Sequence, residues 1–430
     1  MRKIAVIINW AIVAVALALL LASCAPVTED VAEVEEVAGE TAEVAVEVVD
    51  GIVINEANFP DANFRAILAK PGIDKNQDGA LADEEIAALT KLDVAGSGIF
   101  NLKGLELFTA LITLDCSNNQ LTALDVSKNT GITSLSCDFN KLIALDVSNN
   151  TGLTVLTCSG NQLTELDVSN NTGLTRLNCE KNQLTALDTS KNTDLSSLTC
   201  DSNKLTTLDV GNNTELTELS CHNNQLSEMD IKNNIKLIDF YCSSNQIKIL
   251  DVSNNTDLTA FGCDDNLLTA LDVKNNIKLT DFDCSHNQLK TLDVSKNTDL
   301  TGLYCNDNPL ATLDVINNTK LKNINCSYNQ LKMLDVSKNI DLTELACSYN
   351  QLKTLDVSKN IDLTALACSG NQLKTLDVSG NTKLETLRCA DNLLTALDVS
   401  NNIELTELYC SGNQLKELDI SKNTKLDILE

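Results

Sequence analysis

Fifteen of the sixteen cysteines recur every 21 residues, from Cys116 to Cys410. A period this strict is not that of a domain folded around one closed core. It prescribes a stack of like units, each burying its apolar edge against the next. The unit that begins at Leu111 reads LITLDCSNNQLTALDVSKNTG. Fifteen copies run to Lys425, and the start of another follows at Leu426.

The first half of the unit, L-x-x-L-x-C-x-x-N-x-L, is the leucine-rich repeat motif with cysteine in its third apolar slot. It predicts a leucine-rich repeat solenoid with a parallel β-strand on the concave face and little helix outside a small N-terminal cap. Leu111, Leu114, Cys116 and Leu121 alternate inward. Asn119 recurs through Asn413, and its amide is expected to bond the backbone of the bending loop. A second asparagine column, Asn129 through Asn423, is expected to do the same at the opposite bend. Val126 and its β-branched equivalents predict a second strand-like edge. Thr130 exchanges with Ile235, Ile277, Ile340, Ile361 and Ile403, which predicts a half-buried position. Phe240, Phe261 and Phe282 share the inward slot of Leu114 and are expected to stack.

Three chemistries compete for the cysteine column. Free cysteine is a small hydrophobe that suits a narrow coil, which predicts buried free thiols. Disulfides between coils are disfavoured, because parallel side chains in register do not readily adopt the near-90° torsion of an S–S bond and an odd count cannot pair off. Zinc sites use close pairs such as C-x2-C, often with histidine, whereas here the spacing is 21 and only His222 and His286 exist.

Residues 1–23 read as a secretory signal: Arg2 and Lys3, then an apolar run to Leu21 interrupted by Asn9. The run ends Leu21-Ala22-Ser23-Cys24, which resembles the lipobox of bacterial lipoproteins at every position. That resemblance implies a diacylglycerol-modified Cys24 as the mature N-terminus, with Ala25 directing the chain to the outer membrane in a Gram-negative host. The alternative is an uncleaved transmembrane anchor. Residues 24–51 follow as a tether, with nine acidic residues and no basic ones between 25 and 50. The chain carries a formal net charge of −28, and losing Arg2 and Lys3 makes it more negative still. This excludes the basic footprint that nucleic-acid binding needs.

Residues 52–88 break the repeat and predict a helical cap, with Phe64, Ile67 and Leu68 on one helix face. Within it, DKNQDGALADEE from Asp74 to Glu85 matches an EF-hand loop. Asp74, Asn76 and Asp78 would supply side-chain oxygens to calcium, Ala80 its carbonyl and Glu85 two oxygens. Ala82 at the ninth position offers none, so water would fill in. Structural calcium, an empty polar turn and a calcium switch are the three readings. A degenerate repeat from Leu89 joins this cap to the array of residues 89–430, with Val94 standing where cysteine will later stand. No comparable cap is visible at the other end, which suggests either a frayed lid or a covering partner.

The 21-residue unit with its cysteine slot resembles the repeats of the internalin J type of bacterial surface proteins, over residues 89–430. The resemblance implies surface exposure and a curved face that binds an extracellular protein or glycan during attachment. The chain departs from that type in carrying a lipobox in place of a C-terminal sorting signal.

On the strands, the slots of Thr113, Asp115 and Ser117 point outward and vary. Tyr241, Tyr304 and Tyr409 share the Asp115 slot, near Asp281, Asp283 and Arg388. Tyr328 and Tyr349 occupy adjacent coils one residue before asparagine. These eight are the candidate ligand-binding residues. The Asp125 column is expected to make Asx bonds near Ser127, or else to form a cation-binding edge. No enzyme is predicted: no plausible His-based triad or phosphate-cradling glycine loop is present, and coils this narrow leave no room for a buried site. The functional expectation is a lipid-anchored surface recognition protein, with self-association through the uncapped end as the alternative.

Overall fold

The computed structural model describes residues 50–430. The signal, Cys24 and the tether up to residue 49 lie outside the described residues. The cap comprises β1 (Ile52–Val53), α1 (Ala62–Leu68), β2 (Ala80–Leu81) and α2 (Asp83–Ala88). The array opens with β3 (Lys91–Asp93) and continues through sixteen strands, β4 (Thr113–Asp115) to β19 (Ile428–Leu429). Every strand from β3 onward pairs in parallel with its sequence neighbours, as in Thr113↔Ser134 and Leu114↔Leu135. The sheet is open, because β3 pairs only with β4 and β19 only with β18. Only the central residue of each three-residue strand faces inward, so the two outer ones form the free face of the sheet.

The inward columns are as the period requires. Leu111, Leu114, Cys116, Leu121 and Val126 are all fully buried, and so are their equivalents along most of the stack. All fifteen cysteines of the column are free. Some thiols donate to the next coil, as Cys116 Sγ does to the Ser136 carbonyl at 3.4 Å. Phe240, Phe261 and Phe282 stack with centroids 5.6 and 5.4 Å apart. Three aromatic rungs fit where leucine stands elsewhere because each ring lies flat on the next.

Asn119 closes its bend from both sides. Its Oδ1 accepts from the Ile99 amide, and its Nδ2 donates to the carbonyls of Val94, Cys116 and Ser117. The second column works only with its donor. Asn150 Nδ2 reaches the Val126 and Asn129 carbonyls, while its buried Oδ1 has no partner, as in most of the column. Asn213 differs, because Thr189, standing where other coils have valine or isoleucine, donates Oγ1–H to its Oδ1 at 2.9 Å. The threonine thus answers a hydrogen-bonding need left open in its neighbours.

Two expectations are corrected. The Val126 column does not form a second strand edge: among the described residues it shows only an isolated bridge, Asp125↔Asp146. Its amide donors are used locally, since Ser127 N–H bonds back to Asp125 Oδ1 at 2.9 Å and so leaves the ladder. The isoleucines that replace Thr130 are 52–56% exposed, so that position lies on the surface. Each follows a fully buried asparagine at the bend and points away from it.

The cap docks through Asp61, which is wholly buried. Its Oδ1 caps α1, accepting from Asn63 and Phe64 N–H at 2.9 and 3.0 Å. Its Oδ2 accepts from Phe100 and Asn101 N–H in the first coil, at 2.8 and 3.3 Å. Phe64, Ile67 and Leu68 are the buried face of α1, as predicted. The last coil leaves Ile428 and Leu429 38% and 48% exposed.

Candidate functional site

The outward strand positions from Thr113 to Glu407, with the residue two beyond each strand, make a strip three columns wide. It holds Asp or Glu at eleven positions, Arg only at Arg176 and Arg388, and no lysine. The sequence-predicted ligand residues fall on this strip and its rim, in two adjoining places that share Tyr304.

Tyr304, Arg388 and Tyr409 belong to the first. Tyr304 and Arg388 bound a hollow of about 350 Å³ whose floor includes Ala346, Ala365 and Ala367. Arg388 lies 5.1 Å from the Tyr409 ring centroid, and its Nη2 donates to Glu407 Oε2 at 3.1 Å. On the rim beside it, Tyr328 and Tyr349 stack at 4.5 Å and remain 52% and 46% exposed. Their slot has positive φ in every full coil, from Asn118 (55°) to Gly412 (67°). Tyr328 and Tyr349 both sit at 54°, a conformation that costs a bulky residue about 1–2 kcal/mol. A Cβ on Gly370 would fall 2.5 Å from Tyr349 Cδ1, so the glycine one repeat later makes room for the ring.

The second place holds Tyr241, Asp281 and Asp283. Strand register sets Tyr241, Gly262, Asp283 and Tyr304 in one row. The Tyr241 ring leans over Gly262, whose Cβ would lie 3.0 Å from Tyr241 Cδ1. A Cβ on Gly302 would meet Asp281 Oδ1 at 2.5 Å and Tyr304 Cε2 at 3.2 Å. Glycines at outward strand positions were the missed sequence signal, because a strand glycine marks a close approach. Asp281 is exposed on its strand, and the partial desolvation its neighbours impose raises its carboxyl above the usual range. Burial, with Asp264 and Asp281 nearby, raises Asp283 despite the Ser285 hydroxyl and N–H. Tyr241 is raised too, first by burial and then by Asp239, Asp281 and Glu218.

Other carboxylates of the strip are occupied by the protein itself. Asp138 accepts from the Thr157 hydroxyl and from the amide and hydroxyl of Ser159, tying neighbouring coils together. Asp201 accepts from the Ser220 hydroxyl at 2.8 Å, and His222 Nδ1 lies 3.3 Å from its other oxygen. Serine and histidine thus address the same carboxylate, and the histidine is not interposed as a catalytic relay requires. The Asp125 column makes the expected Asx bonds in all fifteen coils. Ser148, through its hydroxyl and N–H, holds Asp146 below the usual carboxylate range, and Ser253 does the same for Asp251.

In the cap, the predicted calcium loop is bracketed by α1 and α2, and β2 pairs antiparallel with β1 through Ile52↔Leu81 and Val53↔Ala80. A two-residue strand thereby supports the single loop from the side. Asp74 and Glu85 are buried, at 2% and 8% exposure. Asp74 Oδ2 accepts from Gly79 N–H, while its Oδ1 is buried without a partner. Glu85 closes the loop, accepting from Lys75 and Ala82 N–H at 2.7 and 3.0 Å. Asn76 and Asp78 bond each other at 2.9 Å, and the Asp78 carboxylate accepts from Ala80 N–H. The orphaned Asp74 oxygen fits a cation. In this geometry, among the described residues, no three acidic, histidine or cysteine side chains converge as a metal cluster.

No family model matches the chain. Internalin J of Listeria monocytogenes serotype 4b (strain F2365) is 42% identical over 72 residues, which is 17% of this chain and 8% of that protein. The solved functional domain of InlJ from Listeria monocytogenes, which includes a cysteine ladder, is 39% identical. It superposes with a TM-score of 0.77 over 83% of this chain and 79% of that one. A leucine-rich repeat protein of Leptospira interrogans shares the fold at 22% identity, with a TM-score of 0.71 over 81% of this chain and 97% of that one. The repeat length, the column of buried thiols and this extended likeness agree: the chain belongs to the internalin J family of leucine-rich repeat proteins with a cysteine ladder.

Proposed function

We propose that the chain is a non-enzymatic recognition protein of the bacterial surface, held to the envelope by lipid on Cys24, which binds an extracellular protein or glycan through its sheet face. The observation that carries this reading is the hollow between Tyr304 and Arg388, with a second one beside it lined by Arg388, Tyr409 and Tyr349, whose ring stacks on Tyr328. Neither tyrosine of the pair fills the core, and both hold a backbone conformation that asparagine or glycine would adopt more cheaply. Exposed aromatic and arginine side chains around a floor of alanine methyls suit the anchors of an interface.

The test is attachment of the intact chain to host or neighbouring cells and to arrayed glycans. The Arg388→Ala/Tyr409→Ala and Tyr328→Ser/Tyr349→Ser pairs are each expected to weaken binding ~10-fold or more while melting is unchanged. Unaltered binding in both pairs would remove the hollow from the function. The anchor is tested separately. Cys24→Ser is expected to abolish the lipid adduct seen by mass spectrometry and to release the protein from the membrane fraction. Retention of the serine variant there would assign anchoring to the apolar segment instead.

The cap loop is proposed to hold a structural calcium ion on Asp74, Asn76, Asp78, the Ala80 carbonyl and Glu85. The ion would supply the positive charge that the buried Asp74 oxygen lacks. Affinity in the ~10⁻⁴–10⁻³ M range of extracellular modules is expected. At 10 mM calcium that range corresponds to about 1.4–2.7 kcal/mol of added cap stability. Calorimetry and cap hydrogen exchange should both register it, and Asp74→Ala should abolish it. Silence in both measurements at millimolar calcium would refute the site.

A further inference from the structure

The region of the strip around Tyr241 and Tyr304 has a chemistry distinct from that of the hollow. Between Glu218 and Tyr304 its outward positions hold five carboxylates (Glu218, Asp239, Asp264, Asp281 and Asp283) and no lysine or arginine. Asp281 takes part in none of the ion pairs among the described residues, although lysines form such pairs on another edge of the same coils, as Lys278 does with Asp257. The rise of its carboxyl has partial desolvation as its single cause, with no hydrogen bond opposing it. Asp283 satisfies one oxygen with Ser285. Two tyrosine rings flank these carboxylates: Tyr241 leaning over Gly262 and Tyr304 beside Gly302. The rings stand three coils apart, about 14 Å at the usual strand spacing, which is the reach of about four residues of extended chain.

Asp283 is half-buried and Asp281 exposed, neither has a counter-charge, and like charges set this close repel until a cation joins them. A bare divalent ion is a poor match, since it needs 6–8 oxygens, and no three acidic side chains here converge. An organic cation suits better, because a ring face attracts an ammonium or guanidinium while the carboxylates receive its N–H groups. We propose that the sheet face between Tyr241 and Tyr304 docks a lysine- or arginine-bearing extended segment of a partner protein, with a cationic head seated between the rings on Asp281 and Asp283. This rests on the reading of the chain as a recognition protein and names the chemistry of one class of partner.

The probe is a short peptide alternating alanine and lysine, titrated calorimetrically into the full chain at 150 mM salt, beside its lysine-acetylated and glutamate counterparts. Only the lysine peptide is expected to bind. Asp281→Asn/Asp283→Asn should weaken it ~10-fold or more. Tyr241→Ala/Tyr304→Ala should also weaken it several-fold, although the net charge is unchanged. Glu165→Gln/Glu228→Gln removes the same charge from exposed positions off the strip and should change affinity less than ~2-fold. If that control loses as much as the aspartate pair, or the tyrosine pair loses nothing, only general attraction to an acidic chain remains and the proposal falls. Failure here is distinct from failure of the recognition reading. Cell attachment that disappears with Arg388→Ala/Tyr409→Ala but survives Asp281→Asn/Asp283→Asn keeps recognition and rejects the cationic partner.

Discussion

At pH 8 the native protein should leave its ladder thiols almost untouched by an alkylating reagent, and all fifteen should react once it is denatured. Burial pushes Cys179, Cys326 and Cys389 up to about 12. Cys137 and Cys263 are driven up by burial and, next, by neighbouring ladder thiols. The thiolate is the reactive form, so a rise of about three pH units from the ordinary value lowers the reactive fraction ~1,000-fold before restricted access is counted. Cys410 should react first, being 8% exposed where the other fourteen are sealed. Mass spectrometry of the alkylated peptides reads this order directly. A shortfall of ladder thiols after denaturation without reductant would show that coils are cross-linked, and the packing account of the column would fail.

Asp61→Ala should loosen the cap by about 3–5 kcal/mol, since each buried donor left without its acceptor costs about 1–3 kcal/mol. Four N–H groups lose their acceptor together: two in the first turn of α1 and two in the first coil. Asp61→Asn should be comparably harmful, because its Nδ2 would be set against two of those donors. Repeat arrays unfold locally, so the loss belongs to residues 52–101 more than to the distant coils. Hydrogen exchange should show cap amides losing protection while those around Leu345 keep theirs. Protection of the cap at its original level in both variants would refute the coupling.

The buried face of α1, the two asparagine columns and the aromatic rungs were legible in the sequence because each is a local pattern or a strict multiple of 21. The positive-φ column was not legible, since its occupants range from Gly412 to Phe139 and Tyr349 and share no side-chain chemistry. Nor was the absence of a second strand edge. Val126 has the right propensity, but Asp125 diverts the donor that a ladder needs.

The sequence by itself determined the stack, its register and its sealed interior. Every inward residue faces copies of itself, so the repeat specifies both sides of each contact. Tertiary structure alone decided the features that join unlike residues across coils. It carried the second oxygen of Asp61 to Phe100 and Asn101, and it gave Thr189 the orphan oxygen of Asn213. It also grouped the eight candidate ligand residues around an alanine-floored hollow and a tyrosine-flanked acidic face that share Tyr304. Outward side chains are not constrained by the period, and their environments depend on whichever residue stands one coil away.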